Sequence, residues 1–184
     1  VVDIPLRQDS VNCLFAGRLY SDIRSPAYAF DVFSKLNHNI HLIALTNYSR
    51  KVNYTNANIT ILPMQSRDTA LHTFMKVNLL VNIGNSVEHQ IPGKIFEYMS
   101  TGKPIIHFSK FPDDPALHYL KDYPLVFVVN EWEKISRQTI ENLEKFCLEN
   151  KNSRIQFDEV ANVFAELRGD VVADQFINTL EALL

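Results

Sequence analysis

Val77 to Ser109 reads VNLLVNIGNSVEHQIPGKIFEYMSTGKPIIHFS. Its residue types run in the order strand, loop, helix, strand. Val77–Ile83 is a short apolar run with β-branched residues, the pattern of a strand buried on both faces. Gly84 to Ile91 is polar and turn-rich. Pro92 suits the first turn of a helix, where its missing N–H is no loss. Ile95, Phe96 and Met99 then fall at helical spacing, with Lys94 and Glu97 elsewhere on the cylinder. Gly102 stands where a helix-ending glycine belongs. Lys103-Pro104 leads into a second apolar run, Ile105–Phe108. The unit is β-α-β, and its strand-to-helix loop opens on the carboxyl ends of the strands, where open α/β sheets bind ligands.

The alternation extends in both directions. Upstream, residues 1–10 read as a connector and Val11–Phe15 as the first strand. A helix is expected from Pro26 to about Leu36, with Ala29, Phe30, Phe33 and Leu36 as its apolar stripe. Asn39–Thr46 reads as a strand, Tyr48–Asn58 as a polar loop and Ile59–Leu62 as a short strand. Ser66 is a good N-cap for a helix reaching Lys76. Downstream, a short helix follows Asp113-Asp114-Pro115 and ends at Leu120, and Pro124–Val129 reads as another strand. A long amphipathic helix is expected from Glu131 to about Glu149, with Ile135, Ile140, Leu143, Phe146 and Cys147 inward. Phe157–Leu167 reads as a further helix, broken at Gly169. Val171–Leu184 reads as a last helix with Val172, Phe176, Leu180 and Leu183 on its apolar stripe. The sum is an α/β, Rossmann-like three-layer domain, with a mostly parallel six-stranded sheet covered on both faces. The natural strand order is 3-2-1-4-5-6, with the site at the switch point between the first and fourth strands.

Composition agrees. At 184 residues, 46% hydrophobic and 21% charged, the chain has the make-up of one globular domain. A net charge of −3 argues against broad nucleic-acid binding, yet leaves room for a local basic pocket. Cys13 and Cys147 lie far apart, and no Cys-x-x-Cys suggests zinc or redox chemistry. No apolar run approaches the roughly 20 residues that span a bilayer. The expected location is cytoplasmic, with membrane association of the full-length protein left open. The chain starts without Met and reads straight into structure, as expected of a piece of a longer protein.

Two loops carry candidate binding groups. Pro92-Gly93-Lys94 combines free backbone N–H groups, a glycine permitting close approach and an ammonium, at a helix end that carries about half a positive charge. Glu97 lies one turn further, where a carboxylate can accept from two vicinal hydroxyls such as those of a ribose. Phosphate at the tip and sugar hydroxyls one turn along describe a nucleotide diphosphate; the alternative is a solvated surface helix. The other loop, Gly17 to Arg24, lacks the glycine-rich dinucleotide fingerprint but offers two guanidiniums, Arg18 and Arg24, whose forks match phosphate oxygens. The expected strand order makes the two loops neighbours. Asn85, Ser86, Glu88, His89 and Gln90 are polar groups able to meet sugar hydroxyls or simply water. Asp113-Asp114 reads as helix capping rather than a magnesium site. The histidines form no metal-like pair, and no metal is expected.

PGKIFEYMSTGKPII resembles the donor-site segment of GT-B glycosyltransferases, especially the group-1, family-4-like set. The family pattern Pro-x-Lys-x-x-Glu-Tyr-x-x-x-Gly-x-Pro falls on Pro92, Lys94, Glu97, Tyr98, Gly102 and Pro104. A second glutamate common in that family falls on His89, with Glu88 beside it. The resemblance implies the C-terminal, donor-binding half of a GT-B enzyme that moves a hexosyl-type sugar from a nucleotide-diphosphate donor in polysaccharide biosynthesis. Its glycan or lipid-linked acceptor would be held by a missing N-terminal domain, and residues 170–184 would form the C-terminal helix that crosses back to it. It also implies that the helix tip holds the diphosphate and Glu97 the ribose. Arg18 matches the family's Gly-Arg arginine, Arg24 stands in for a second basic residue, and the Pro63–Ser66 loop meets the base. Arg18 and Lys94 would meet the charge developing on the leaving diphosphate. No cofactor is implied, because the nucleotide sugar is a substrate. A non-catalytic nucleotide-binding module on the same fold is the rival reading.

Overall fold

A computed structural model of the chain describes residues 1–47 and 56–182. The element order is β1 (Val11–Ala16), α1 (Ala27–Lys35), β2 (Ile40–Thr46), β3 (Ile59–Pro63), α2 (Arg67–Lys76), β4 (Leu79–Ile83), α3 (Lys94–Ser100) and β5 (Ile105–Ser109). There follow α4 (Ala116–Leu120), β6 (Val126–Asn130), α5 (Arg137–Asn150), α6 (Phe157–Val163) and α7 (Gly169–Glu181), with one 3₁₀ turn at Ala165–Leu167. Residues 48–55 of the expected polar loop, and Leu183 and Leu184 of the last helix, lie outside the described residues.

The six strands lie in the order β3-β2-β1-β4-β5-β6, and every pairing is parallel. This is the expected order, and among the described residues there is no antiparallel edge. Both faces are covered, so the strands are uniformly apolar rather than alternating. Alternate residues of β1 separate the two cores. Cys13 and Phe15 join Phe30 and Phe33 of α1 and Leu143 and Cys147 of α5 on one face. Leu14 and Ala16 join Phe74 of α2, Ile95, Tyr98 and Met99 of α3, Leu120 of α4 and Val160 of α6 on the other. The two cysteines, remote in sequence, are buried in one cluster.

Gly102 follows α3 with φ +70°, and its N–H bonds to the Met99 carbonyl. A Cβ there would sit 2.0 Å from the Ile155 carbonyl oxygen, so both the turn and the close approach require glycine. Two helix boundaries on the C-terminal side differ from expectation for identifiable reasons. The long helix starts at Arg137, not Glu131, because Ser136 is its N-cap and accepts from the Thr139 N–H. Glu131 is instead drawn inward to Lys110, 2.5 Å away. Gly169 opens α7 rather than ending the preceding helix, which breaks at Phe164 (φ −111°, ψ 36°). No residue of α7 is buried; its apolar stripe is exposed, with Phe176 at 65%.

His41 on β2 is buried, with its Nε2 2.9 Å from Thr60 Oγ1 and, among the described residues, no partner at Nδ1. Burial, with Arg7 adding to it, pulls its pKa from 6.5 down to about 4. Between those values the unfolded chain takes a proton that the folded chain refuses, so acidification favours unfolding. Stability should fall through this window by up to about 1.4 kcal/mol per pH unit from His41. Denaturant titrations from pH 7 to 4 should show a shallower loss in His41→Gln than in the parent chain.

Candidate functional site

A cleft of about 310 Å³ opens at the carboxyl edge of the sheet. Ala16 and Gly17 at the end of β1, Leu45 of β2, and Met64, Gln65, Arg67 and Ala70 around the start of α2 form one side of its lining. Lys94 and Glu97 on α3 form the other. The α2 side is set by local chemistry, since Ser66 caps the helix by accepting from the Thr69 N–H at 3.3 Å. The α3 side is set by Tyr98, which is buried against β1. Its hydroxyl accepts from the Ala16 N–H (3.4 Å) and donates to the Ala16 carbonyl (3.5 Å). Burial raises the Tyr98 pKa well above the ordinary phenol value, so the hydroxyl stays a donor. Its ring meets Phe74 edge-on at 5.3 Å, and Lys94 Nζ lies 5.3 Å over the same Phe74 ring. Lys94 Nζ is 2.7 Å from Glu97 Oε2, both side chains being partly exposed.

Helix α3 begins at Lys94, with Gly93 at its N-cap, rather than at Pro92. Pro92 is buried and its carbonyl accepts from the Ile95 N–H, while Gly93 is exposed with nothing near its Cβ position. Arg24 is half-buried and directed by Asn85: its Nε and Nη2 donate to Asn85 Oδ1 at 2.8 and 2.6 Å. Its Nη1 reaches the Arg18 carbonyl at 3.4 Å and would lie 3.9 Å from a Cβ on Gly17. Tyr20 and Arg24 exchange backbone bonds in a small hairpin, and the Ser86 N–H donates to the Ile23 carbonyl at 2.7 Å. The β1–α1 and β4–α3 loops are therefore tied together. Gly17, Lys94 and Glu97 line the cleft, and Arg24 stands beside it. Arg18 and Gln90 are exposed and, with Pro92 and Gly93, fall outside its lining. Arg67 escaped the sequence reading, although its place beside the Ser66 cap was legible.

Beneath the loops lies a buried polar network. His107 Nδ1 is 2.8 Å from Asn82 Nδ2, and its Nε2 is 3.1 Å from Asp114 Oδ2. Ser109 Oγ donates to the same carboxylate at 3.1 Å, and the Ala116 N–H to its other oxygen at 2.9 Å. Burial raises the Asp114 pKa, but the bonds from His107, Ala116 and Ser109 outweigh it and hold the group below the usual carboxylate value. Asp114 thus caps α4, as expected. A Cβ on Gly84 would lie 2.8 Å from Asp114 Oδ2 and 2.9 Å from the Phe108 carbonyl, so the β4–α3 loop must leave its strand on a glycine. Lys110 adds a further tie, donating to the Ser25 carbonyl at 2.9 Å while paired with Glu131. Among the described residues, no group of three or more His, Cys, Asp or Glu could hold a metal ion. Among them, too, no helix is long and apolar enough to cross a membrane.

No family model matches the sequence, and no curated protein matches it. Solved structures do. The apo form of the lipopolysaccharide outer core galactosyltransferase WaaB superposes with a TM-score of 0.63 at 16% identity, over 99% of this chain and 52% of that one. HepE from Anabaena in complex with UDP gives 0.67 at 16% identity, over 95% and 49%. TarM gives 0.63 at 12% identity, over 96% and 36%. The fold implied by the resemblance to GT-B glycosyltransferases is the fold found. The chain spans about half the length of the first structures it matches.

Asn85 is the hinge of the loop pairing, and Asn85→Ala strips Arg24 of its oriented partner. A loss of about 1.5–3 kcal/mol is expected, the range for bonds to a charged group. Amide exchange at Ser86 and Arg24 should accelerate while exchange in β1 and β4 follows only the global change. Unchanged exchange at Ser86 would disprove the coupling.

Proposed function

We propose that this chain is the donor-binding domain of a GT-B glycosyltransferase. It binds a nucleotide-diphosphate sugar and supports hexosyl transfer to a glycan or lipid-linked acceptor held by a domain outside this chain. The observation that carries the reading is the cleft at the carboxyl end of β1, with Lys94 and Glu97 of the helix after β4 lining it together with Ala16 and Gly17. HepE has been solved with UDP and with UDP-glucose on the same fold, which supports a nucleotide-sugar ligand.

In this reading Lys94 leaves Glu97 for the diphosphate, and Glu97 accepts from the ribose hydroxyls. Arg24, aimed by Asn85 beside Gly17, and Arg18 on the same loop add positive charge from the β1 side. When the bond from sugar to phosphate breaks, negative charge grows on the leaving diphosphate, and these cations stabilise it more than they stabilise the ground state. Gly17 and Gly93 leave room for the phosphates to approach backbone, Pro92 fixes the entry to α3, and Gln90 faces the sugar. Basic side chains supply the charge that a divalent cation supplies elsewhere, so no metal is required. The acceptor and any general base belong to the other domain. The chain alone binds nucleotide and turns over little.

Calorimetric titration with UDP, GDP, ADP and CDP, with and without chelator, tests this. At least one should bind, with chelator making no difference. Lys94→Ala and Glu97→Ala should each weaken it by about tenfold, the size of one lost charge-assisted bond. Failure of all four to bind, or affinity indifferent to both substitutions, would overturn the reading.

A further inference from the structure

Resting on that reading, Arg24 serves the diphosphate, and its loop is held from the ends of β5 and β6. Lys110, the residue after β5, donates to the Ser25 carbonyl at 2.9 Å and to Glu131 Oε2 at 2.5 Å. Ser25 directly follows Arg24 in the chain. The Lys110 stem also reaches the other site loop, since a Cβ on Gly84 would lie 3.6 Å from its Cγ. Glu131 is anchored in turn, its N–H donating to the Ser109 carbonyl at 2.9 Å. The Lys110 and Glu131 side chains are only 10% and 9% exposed. As a device for stability the pair is poor. Glu131 Oε1 is buried with no partner among the described residues, and burial raises the Glu131 pKa against the pull of Lys110. A buried ion pair with an unmatched atom gains little over apolar residues of similar volume. Apolar residues, however, cannot grip the Ser25 carbonyl.

We infer that Lys110 is a positioning residue for the diphosphate site, held by Glu131 and acting through Ser25 on Arg24. Asn85 sets the direction of the Arg24 guanidinium, and Lys110 sets the place of the backbone that bears it. With both fixed, the guanidinium meets a ligand without first being drawn from many rotamers and loop positions. Lys110 and Glu131 themselves touch neither sugar nor phosphate. Their charges cancel, so the pair adds little net field at the cleft, and its effect on binding runs through geometry.

The test is a double-mutant cycle on the full chain, read by calorimetry with UDP, GDP, ADP and CDP, with thermal melts as a folding check. Lys110→Met combined with Glu131→Gln removes both charges together, which leaves net charge unchanged and strands no buried ion. Its affinity for the diphosphate that the parent chain binds most tightly should fall about three- to tenfold, as expected where one long side chain must be ordered anew on binding. Arg24→Ala should weaken the same ligand. Adding the Lys110 and Glu131 changes to it should then cost less than about a further twofold, because a residue that acts through Arg24 has nothing left to place. Glu131→Gln alone keeps an acceptor oxygen for Lys110 and should lose less affinity than the paired variant. Titrations run below each variant's melting midpoint, and Lys110→Leu with Glu131→Leu repeats the measurement with an apolar pair should the first not fold. Parental affinity in the folded paired variant, or losses that add in full to that of Arg24→Ala, overturns the inference and leaves the donor reading intact. Absence of binding by all four diphosphates to the parent chain removes the donor reading itself, and this inference with it.

Discussion

Adjacent parallel strands whose following helices leave for opposite faces create an unavoidable gap, and β1 and β4 are such a pair. The helix after β1 packs on the face of Phe30, Phe33 and Leu143, and the helix after β4 packs on the face of Phe74, Tyr98 and Leu120. Neither fills the space over the strand ends, and the cleft lies beside that gap, between the end of β1, the turn from β3 into α2, and α3. The hydroxyl of Tyr98 on the last peptide of β1 fixes how far α3 can withdraw from that edge. A helix of this length has little stability of its own, so its position rests on packing and on that contact. Everything that faces the cleft from α3, Lys94 and Glu97 included, inherits its place from there.

The loops over the gap are held by charge used structurally. Arg24 is turned by Asn85, Lys110 by Glu131 and the Ser25 carbonyl, and the β4–α3 loop starts on a glycine that lies against the Asp114 carboxylate. These ties run from β6 through β5 to both site loops. A cation fixed before a ligand arrives loses less side-chain entropy on binding than one drawn from solvent. The net charge of −3 is therefore no guide to the cleft, where the local balance is set by a handful of oriented groups.

What could be read from the sequence was local or periodic. The strands, the Ser66 cap and the glycine after α3 each follow from short patterns with one physical meaning, and the strand order follows from the alternation of strands and helices. The start of α5 differs because Glu131 to Ile135 continues an amphipathic pattern, whereas the Ser136 cap opens the helix and Glu131 turns to Lys110. Asn82, His107, Ser109 and Asp114 come from three separate segments, so nothing in their spacing announces that they share one network. Arg24 looked like a phosphate ligand in solvent, whereas its partner Asn85 lies 61 residues away and looked like a sugar contact. Arg67 carries no local signal, because the first residue of a helix is ordinarily solvated. Local rules reached the residues that make the scaffold, and missed those whose roles depend on a partner distant in sequence.

The pairing of Lys94 with Glu97 also bears on what the cleft accepts. A bare phosphate would draw Lys94 away and leave Glu97 without its counter-charge. A bare nucleoside would engage Glu97 and leave the ammonium facing only the Phe74 ring. Each partial ligand breaks the ion pair and replaces half of it. A molecule carrying diphosphate and vicinal hydroxyls at the right separation replaces both halves at once. The pair is partly exposed, so its own contribution to stability is small and opening it costs little. Under the proposed function, the discrimination comes from leaving one group unmatched rather than from a strong resting bond, and it would favour the whole nucleotide over its parts.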